Sequence, residues 1–192
     1  MGRYRDMVER DPDNVQPTLF TKMFKGEDSD ALTFAEIRDA AQSYIVAGSD
    51  TTAHTLTYLI WSVCKNAQIR DRLVKEAQAL ADAFVEHDLW TLPYLNQIVE
   101  ETLRLYSAAP STLPRVVPPQ GASLAGYDIK GGVTVSSQAY SLHRNPEVFP
   151  EPDEFIPSRW EQPTKAMKDS FMAFGGGSRG ELLLHFLRGQ VY

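Results

Sequence analysis

The stretch AGSDTT, residues 47–52, brings together side chains that can hold and pass a proton. Asp50 supplies a carboxylate and Thr51 the neighbouring hydroxyl, which are the acid and the alcohol that a proton relay needs. Gly48 leaves space beside them for a small ligand. Because Gly, Ser, Asp and Thr form helices less readily than Ala, we expect a bulge or kink if this stretch lies within a helix. A kink that only lets another element pass is the alternative interpretation.

A second candidate site is the charge pair in EETLRLY, where Glu101 and Arg104 stand three residues apart. In a helix this spacing places both side chains on one face. An exposed ion pair, which contributes little to stability, is the alternative interpretation. The apolar residues around the pair, and Arg159 in FIPSRW as a further partner, favour a buried cluster of the three charges.

The stretch FGGGSR, residues 174–179, predicts a loop whose backbone packs against a flat or anionic ligand. Its three glycines let a backbone approach closely, and Arg179 adds a positive charge. Arg115, directly after Pro114, is another guanidinium that can bind a carboxylate through two parallel hydrogen bonds. From the sequence alone, an ordinary exposed arginine is the simpler interpretation of Arg115.

Composition excludes several classes of protein. The 192 residues suffice for one domain of ordinary size, and 19 Lys plus Arg against 25 Asp plus Glu give a net charge of -6. This charge argues against a nucleic-acid partner or an anionic membrane surface. Cys64 is the single cysteine, so the chain has no internal disulfide and no cysteine cluster for a metal. No apolar run approaches the roughly 20 residues of a membrane span, and MGRYRDMVER is too charged to begin a secretory signal.

Helices must position most of these residues. Thr33 and Glu36 form the capping-box pattern at the start of a helix, which we expect to continue to about Lys65 and to carry AGSDTT. A second amphipathic helix is predicted over residues 66–84. Pro93 opens a third helix, because proline is tolerated in a first turn, and this helix carries the Glu101 pair.

The rest of the chain has a different composition, with fewer helix-forming residues. LAGYDI and VTVSS predict two short strands, and a proline-rich, helix-poor meander follows up to Trp160. We therefore expect a mainly α fold with a small β region. The predicted organisation is a polar arm with a short helix over residues 1–32, a partial domain over 33–179, and a tail over 180–192.

These motifs, in this order, resemble those of the cytochrome P450 superfamily of haem-thiolate monooxygenases. AGSDTT resembles the oxygen-binding stretch of the family's long central helix, and ETLR its Glu-x-x-Arg motif. FIPSRW resembles the segment with the second arginine of the cluster, and FGGGSR the start of the haem-binding loop. The resemblance implies a partial cytochrome P450 fold, from the central long helix to the start of that loop, without the amino-terminal anchor, first helices and early β region.

The resemblance also implies roles for individual residues. Asp50 and Thr51 would be the catalytic groups that deliver protons, and Ala47 and Gly48 would line the oxygen groove. Further residues would belong to the haem side of the fold: Arg115 and Arg179 at the propionates, Phe174 beside the haem ligand, and Glu101, Arg104 and Arg159 as the structural cluster behind the haem.

One position departs from the family pattern. Two residues after Arg179, where the resemblance places the cysteine that ligates the haem iron, the sequence has Glu181. Cys64 is not a substitute, because it lies more than three helical turns past Thr51. His185 would need a rebuilt loop. We therefore expect no metal ligand in this chain, and neither retention of haem nor catalysis by it.

Two hypotheses about function remain. In the first, the chain belongs to a haem- and iron-dependent oxidoreductase that inserts one oxygen atom from O2 into a small apolar organic substrate, with electrons from an NADPH-dependent reductase. In the second, it is a non-catalytic truncated remnant. The abrupt departure after Arg179 resembles a shifted reading frame, a retained intron or an alternative end. Eukaryotic family members are commonly anchored in the endoplasmic reticulum, but this chain lacks that anchor, so we expect a soluble cytoplasmic product if it is expressed as it stands.

Overall fold

The computed structural model describes residues 6, 7, 10, 32–81 and 83–176. Most of the predicted polar arm, the tail over 180–192, and the positions Arg179 and Glu181 lie outside the described residues. The described part is mainly helical and has two small antiparallel sheets. Its helices are α1 (Phe34–Lys65), α2 (Ala67–Ala77), α3 (Glu86–Trp90), α4 (Pro93–Leu105), α5 (Ala139–His143) and α6 (Lys165–Ser170). Its strands are β1 (Thr112–Val116), β2 (Ala122–Leu124), β3 (Tyr127–Ile129) and β4 (Thr134–Gln138).

Helix α1 begins at the predicted capping box. The Thr33 backbone N–H donates to Glu36 Oε2 at 2.7 Å, and the Glu36 N–H donates to Thr33 Oγ1 at 3.3 Å. These bonds satisfy two backbone donors that would otherwise lack a partner. The helix runs for 32 residues and ends at Lys65, which confirms the predicted extent. The chain divides into two compact units, Met1–Ala53 and His54–Tyr192, and the boundary falls within α1.

The bulge predicted within AGSDTT is wrong, because all of residues 47–52 are α-helical. The Ser49 hydroxyl donates to the Ile45 carbonyl, and Thr51 Oγ1 donates to the Ala47 carbonyl at 2.7 Å. Hydroxyls that bond to the preceding turn in this way are satisfied without opening the helix. The α-helix therefore continues through this run of weak helix formers, and the kink stays a prediction.

Helix α2 is shorter than the predicted 66–84, because the backbone after Ala77 closes into tighter turns, in which the Leu80 N–H donates to the Ala77 carbonyl at 3.1 Å. Its start is capped by Asn66, whose side chain accepts hydrogen bonds from the N–H groups of Gln68 and Ile69. Helix α2 packs with α4 and the end of α1 around an apolar core. The buried residues of this core are Val63, Ile69, Tyr94 and Ile98, with Leu59, Leu73 and Phe155 packed against them.

Helix α4 starts at Pro93, as predicted, and α2 fixes its first turn. Both carboxylate oxygens of Glu76 accept backbone hydrogen bonds, from the Tyr94 N–H at 2.8 Å and the Leu95 N–H at 2.9 Å. A carboxylate at this end also interacts favourably with the helix dipole. The first turn of the helix that carries the charge pair is therefore tied to its neighbour.

The β region differs from the prediction in two respects. LAGYDI is a hairpin of β2 and β3, because Ala125 and Gly126 have φ values of 51° and 83° and reverse the chain between them. Strand β1 was not predicted. It pairs antiparallel with β4 and includes Pro114, which a two-stranded sheet accommodates at its edge.

The proline-rich stretch is helix-poor, as predicted. It runs as turns from α5 to a 3-10 turn at Pro157–Trp160, and α6 follows. A second apolar core holds it in place, formed by Phe149, Trp160 and Met167 with Val148 and Phe171 packed against them. None of the helices in the described part of the chain is both long and apolar enough to cross a membrane.

Candidate functional site

The structure brings Glu101, Arg104 and Arg159 together in one buried charge cluster. Glu101 and Arg104 are fully buried on α4, and the Arg159 side chain is 8% exposed. Arg104 donates to both carboxylate oxygens of Glu101, at 2.8 and 2.9 Å, and Arg159 Nε donates to Oε1 at 3.0 Å. The Ile156 backbone N–H and the Trp160 indole N–H complete a set of five donors.

Arg104 uses every donor of its guanidinium. Besides the two bonds to Glu101, it donates to the backbone carbonyls of His143 and Pro152 at 2.7 Å and of Glu154 at 3.1 Å. An arginine has five N–H donors in a fixed planar arrangement, and all five are satisfied here. The guanidinium therefore holds the turns of the proline-rich stretch against the end of α4.

The electrostatics of the cluster favour an ionised Glu101. Burial acts to raise the pKa of this carboxyl, but the hydrogen bonds and charges of Arg104, the Ile156 N–H and Arg159 outweigh burial and hold the pKa below its ordinary value. Arg159 also donates to the backbone carbonyls of Pro150 and Glu151. The cluster therefore has a structural role, because the hydrogen bonds of its charged groups are made to other groups of the same chain.

His143, at the end of α5, lies against this cluster and is fully buried. Its Nδ1 lies 2.8 Å from the carbonyl oxygen of Arg104, and its Nε2 accepts a hydrogen bond from the Met172 N–H at 2.8 Å. Burial lowers its pKa from 6.5 to about 4, with a further contribution from the nearby charges of Arg104 and Arg144. The ring is therefore neutral at ordinary pH.

The start of the glycine loop lies beside the β1–β4 sheet. We call residues 172–176 the loop start. Gly175 has φ 79° and its N–H donates to the Met172 carbonyl at 3.1 Å, which makes a tight turn around the half-buried Phe174. A Cβ on Gly175 would lie 3.5 Å from Leu113 Cδ1, so the loop start packs on β1.

Arg115 is exposed and forms no ion pair with another described residue. Its Nη1 donates to the carbonyl of its neighbour Pro114 at 2.8 Å. Arg115 is two residues from Leu113 on β1, and alternate residues of a strand share a face. The structure therefore places Arg115 on the face of β1 that the loop start approaches. Arg179, its predicted counterpart, lies outside the described residues.

The residues predicted to form the oxygen groove belong to the first compact unit. Ala47, Gly48, Asp50 and Thr51 are all exposed on α1. Thr51 Oγ1 donates to the carbonyl of Ala47, and a Cβ on Gly48 would have no described atom within 4 Å. Asp50 and Thr51 are thus both exposed on α1, while the charge cluster is a feature of the second unit.

The donor groups do not fit a haem-thiolate centre. Such a centre needs a deprotonated cysteine sulfur, and the sequence offers only Cys64, an exposed residue of α1. Among the described residues there is no group of three or more His, Cys, Asp or Glu side chains that could hold a metal ion. The sequence has Glu181 at the position expected for the cysteine, and that residue lies outside the described part.

Sequence reasoning missed two residues that the structure adds to the cluster. Trp160 donates its indole N–H to Glu101 Oε2 at 2.8 Å, and its place directly after Arg159 was an available signal. His143 offered no comparable signal, because its two partners lie 39 and 29 residues away in the sequence.

Comparisons with known proteins match most of the chain to one family. The family model described as cytochrome P450 matches residues 3–180. A cytochrome P450 monooxygenase of Aspergillus niger, orf2, is 51% identical over 177 residues, which are 92% of this chain and 36% of that protein. Another from Aspergillus terreus, tazI, is 57% identical over 159 residues, which are 82% of this chain and 32% of that protein.

Part of a solved structure has the same fold as this chain. A zebrafish cytochrome P450 with progesterone superimposes with a TM-score of 0.70 and 24% sequence identity, over 92% of this chain and 43% of that one. The chain thus spans roughly a third of the length of the two fungal relatives, 36% and 32%.

Proposed function

Since this chain belongs to the cytochrome P450 family, we propose that it forms the part of a haem-dependent monooxygenase that extends from the long helix to the start of the haem loop. The buried charge cluster carries the proposal, because its partners come from the segments that the family motifs mark. Such an enzyme inserts one oxygen atom from O2 into an organic substrate and receives electrons from an NADPH-dependent reductase. The chemistry at iron comes from the haem.

The roles of individual residues are part of the proposal. Asp50 and Thr51 would hold and pass protons, and Ala47 and Gly48 would line the oxygen groove, where a Cβ on Gly48 would meet no described atom within 4 Å. Arg115 would bind a haem propionate, which its exposure and its place on the face of β1 near the loop start support. Arg179 would also act at the propionates, and Phe174 would lie beside the haem ligand. The charge cluster would hold the proline-rich stretch that leads to these two residues.

The chain as it stands does not complete this site. Glu181 offers a hard oxygen donor where the family uses a soft anionic sulfur, and a carboxylate does not supply the same electron density to iron. The position that must supply the iron ligand for catalysis therefore has the wrong donor. The chain's proposed contribution is the scaffold of the site, without the iron ligand.

A haem-binding experiment tests this proposal. The chain is expressed with excess haem, reduced and exposed to carbon monoxide, with an intact cytochrome P450 as the positive control. We expect no strongly red-shifted thiolate-type absorption band and no oxygenated product. A Glu181→Cys variant is expected to behave in the same way, because the chain corresponds to only 36% of the length of a relative. A thiolate-type band, or product that depends on Thr51, would contradict the proposal.

A non-catalytic remnant is the second candidate, and Glu181 at the ligand position favours it. Reading the transcript beyond the codon for Arg179 in the other frames separates the candidates. A cysteine codon at position 181 in another frame would support a monooxygenase gene. Without such a codon in any frame, the remnant becomes the better proposal.

A further inference from the structure

His143 connects the charge cluster to the loop start. One ring nitrogen faces the carbonyl oxygen of Arg104, and the other faces the backbone N–H of Met172, each at 2.8 Å. The side chain is fully buried, so no water competes for either nitrogen. Met172 is the first residue of the loop start, and its backbone position is therefore tied through one imidazole to the last turn of α4.

The two partners fix the tautomer of His143. A carbonyl oxygen only accepts a hydrogen bond, so Nδ1 must carry the proton toward Arg104. A backbone N–H only donates, so Nε2 must present its lone pair to Met172. The ring is thus neutral, with both nitrogens used. A second proton on Nε2 would remove the acceptor of the partly buried Met172 N–H and leave that group without its partner.

Aromatic packing supports the same connection. The His143 ring stacks on Phe171, with centroids 5.4 Å apart and an interplanar angle of 17°. Phe171 in turn meets Trp160 edge-on at 5.0 Å, and Trp160 donates to Glu101. The residue before the loop start is therefore packed between two side chains that are hydrogen-bonded to α4.

We infer that His143 is a positioning residue that sets the backbone of the loop start relative to the charge cluster. It acts through Met172 and needs no contact with a ligand of its own. The inference rests on the proposed function only where it identifies residues 172–176 as the approach to a haem loop. What His143 contributes is a rigid acceptor at a defined distance from α4.

Two substitutions of His143 separate its two hydrogen bonds. The amide of asparagine reaches the place of Nδ1, so His143→Asn can keep the bond to the Arg104 carbonyl but loses the acceptor for Met172. The longer side chain of His143→Gln can place its amide oxygen near Nε2 and keep that acceptor. The Ile156 N–H, which donates to Glu101 at 2.9 Å, reports whether the cluster itself is intact.

The test is amide hydrogen exchange of the chain without haem, followed by NMR. In His143→Asn we expect the Met172 amide to exchange about tenfold faster than in the wild type, which corresponds to about 1.4 kcal/mol. In His143→Gln the rate should stay within about threefold of the wild type, because an acceptor remains. The Ile156 amide should be unchanged in both variants.

Two outcomes would overturn the inference. One is equal acceleration at Met172 and Ile156 in both variants, which would mean that His143 only fills space in the core. The other is an unchanged Met172 rate in the asparagine variant. Should the variants fail to fold, the imidazole nitrogen spectrum of the wild type decides: a proton on Nδ1 and a bare Nε2 support the inference, and a proton on Nε2 refutes it.

These measurements are independent of the test of the proposed function. The carbon monoxide spectrum depends on iron and its ligand, whereas the exchange rates and the tautomer are measured on the polypeptide alone. An unexpected thiolate-type band would change the proposed function without affecting the exchange result. An unaltered Met172 rate in His143→Asn would refute the inference whatever the spectrum shows.

Discussion

Helix α4 buries charged side chains, whereas helix α1 exposes large apolar ones. On α4, Glu101 and Arg104 are fully buried and bonded to groups from distant parts of the chain. On α1, the hydroxyls of Ser49 and Thr51 bond to the helix's own carbonyls. Large apolar side chains of α1 are instead exposed, by 48% to 67%: Tyr44, Ile45, Val46, Leu56, Ile60 and Trp61.

The difference shows that residue type alone does not decide burial. Two charges are buried on α4 because five donors satisfy one carboxylate and five acceptors satisfy one guanidinium. The apolar side chains of α1 are exposed because no described element covers them. We therefore expect substitutions in the charge cluster to have large effects and substitutions in AGSDTT to have small ones.

The largest effect is expected for Glu101→Gln. The change leaves two guanidinium groups near one another without their counter-charge, which typically costs about 3 to 5 kcal/mol. The free energy of unfolding, from urea denaturation, measures the loss. Asp71→Asn is the control, because Asp71 pairs with Arg70 at the surface, where the side chains are 49% and 69% exposed, and should cost about 0.5 kcal/mol or less. Equal losses in the two variants would contradict the contrast between buried and exposed pairs.

The next effect is a loss of stability in acid that comes from His143. Its pKa falls from 6.5 to about 4 on folding, so the unfolded chain binds the proton at a higher pH than the folded chain. The contribution is therefore complete above pH 6.5 and is lost as the pH falls toward 4, by about 3 kcal/mol in total. The pKa of Glu101 is also lowered, so its contribution is lost at more acid pH, in the same direction.

Urea denaturation at a series of pH values between 7 and 4 measures this slope. His143→Gln is the matched variant, because glutamine does not titrate and should flatten the curve in this window. A slope that is equally steep in the variant would show that other groups cause the acid instability. Arg104 and Arg144 oppose protonation of the ring and Glu101 favours it, so these are the charges to consider next.

A smaller effect is expected for Glu76→Gln, which weakens the cap of α4. Glutamine has one oxygen acceptor in place of the two that now bind the N–H groups of Tyr94 and Leu95. Loss of one charged hydrogen bond and of a favourable interaction with the helix dipole should cost about 1 to 2 kcal/mol in the free energy of unfolding. Glu161→Gln, at an exposed position, is the control and should be nearly neutral. A neutral Glu76 variant would mean that α4 is positioned by its apolar face alone.

The smallest effect is expected for Gly48→Ala, and its sign is reversed. Alanine is favoured over glycine in a helix interior by about 0.5 to 1 kcal/mol, and a Cβ here would meet no described atom within 4 Å. The melting temperature should therefore rise slightly, while Ala47→Gly should lower it by a similar amount. A destabilised Gly48→Ala chain would show that the space at this glycine is filled. A stabilised Gly48→Ala chain would show that the glycine lowers stability, which would support a role for it in the proposed oxygen groove.

Local patterns were the part of the fold that could be predicted. The start of α1 depends on Thr33 and Glu36, three residues apart, and the approach of Glu101 and Arg104 depends on the same spacing. The bulge in AGSDTT failed as a prediction because propensities do not include the back-bonds of Ser49 and Thr51. These bonds give the hydroxyls partners within the helix.

Contacts between distant residues could not be predicted in the same way. Nothing near His143 in the sequence indicates Arg104 and Met172 as its partners, since they are 39 and 29 residues away. Strand β1 was missed because Pro114 argues against a strand, and its pairing with β4 depends on the fold. The role of Arg115 stays a prediction, because exposure and the face of a strand do not identify a ligand.

The five donors around Glu101 also have a consequence for folding kinetics. Three of them come from residues 55, 58 and 59 positions further along the chain, so the carboxylate is satisfied only after a long loop has closed. We expect contacts of this sequence separation to form late, and interactions absent from the transition state mainly control the unfolding rate. The charge cluster should therefore have little effect on the folding rate. It should instead slow unfolding and so set how long the folded chain persists.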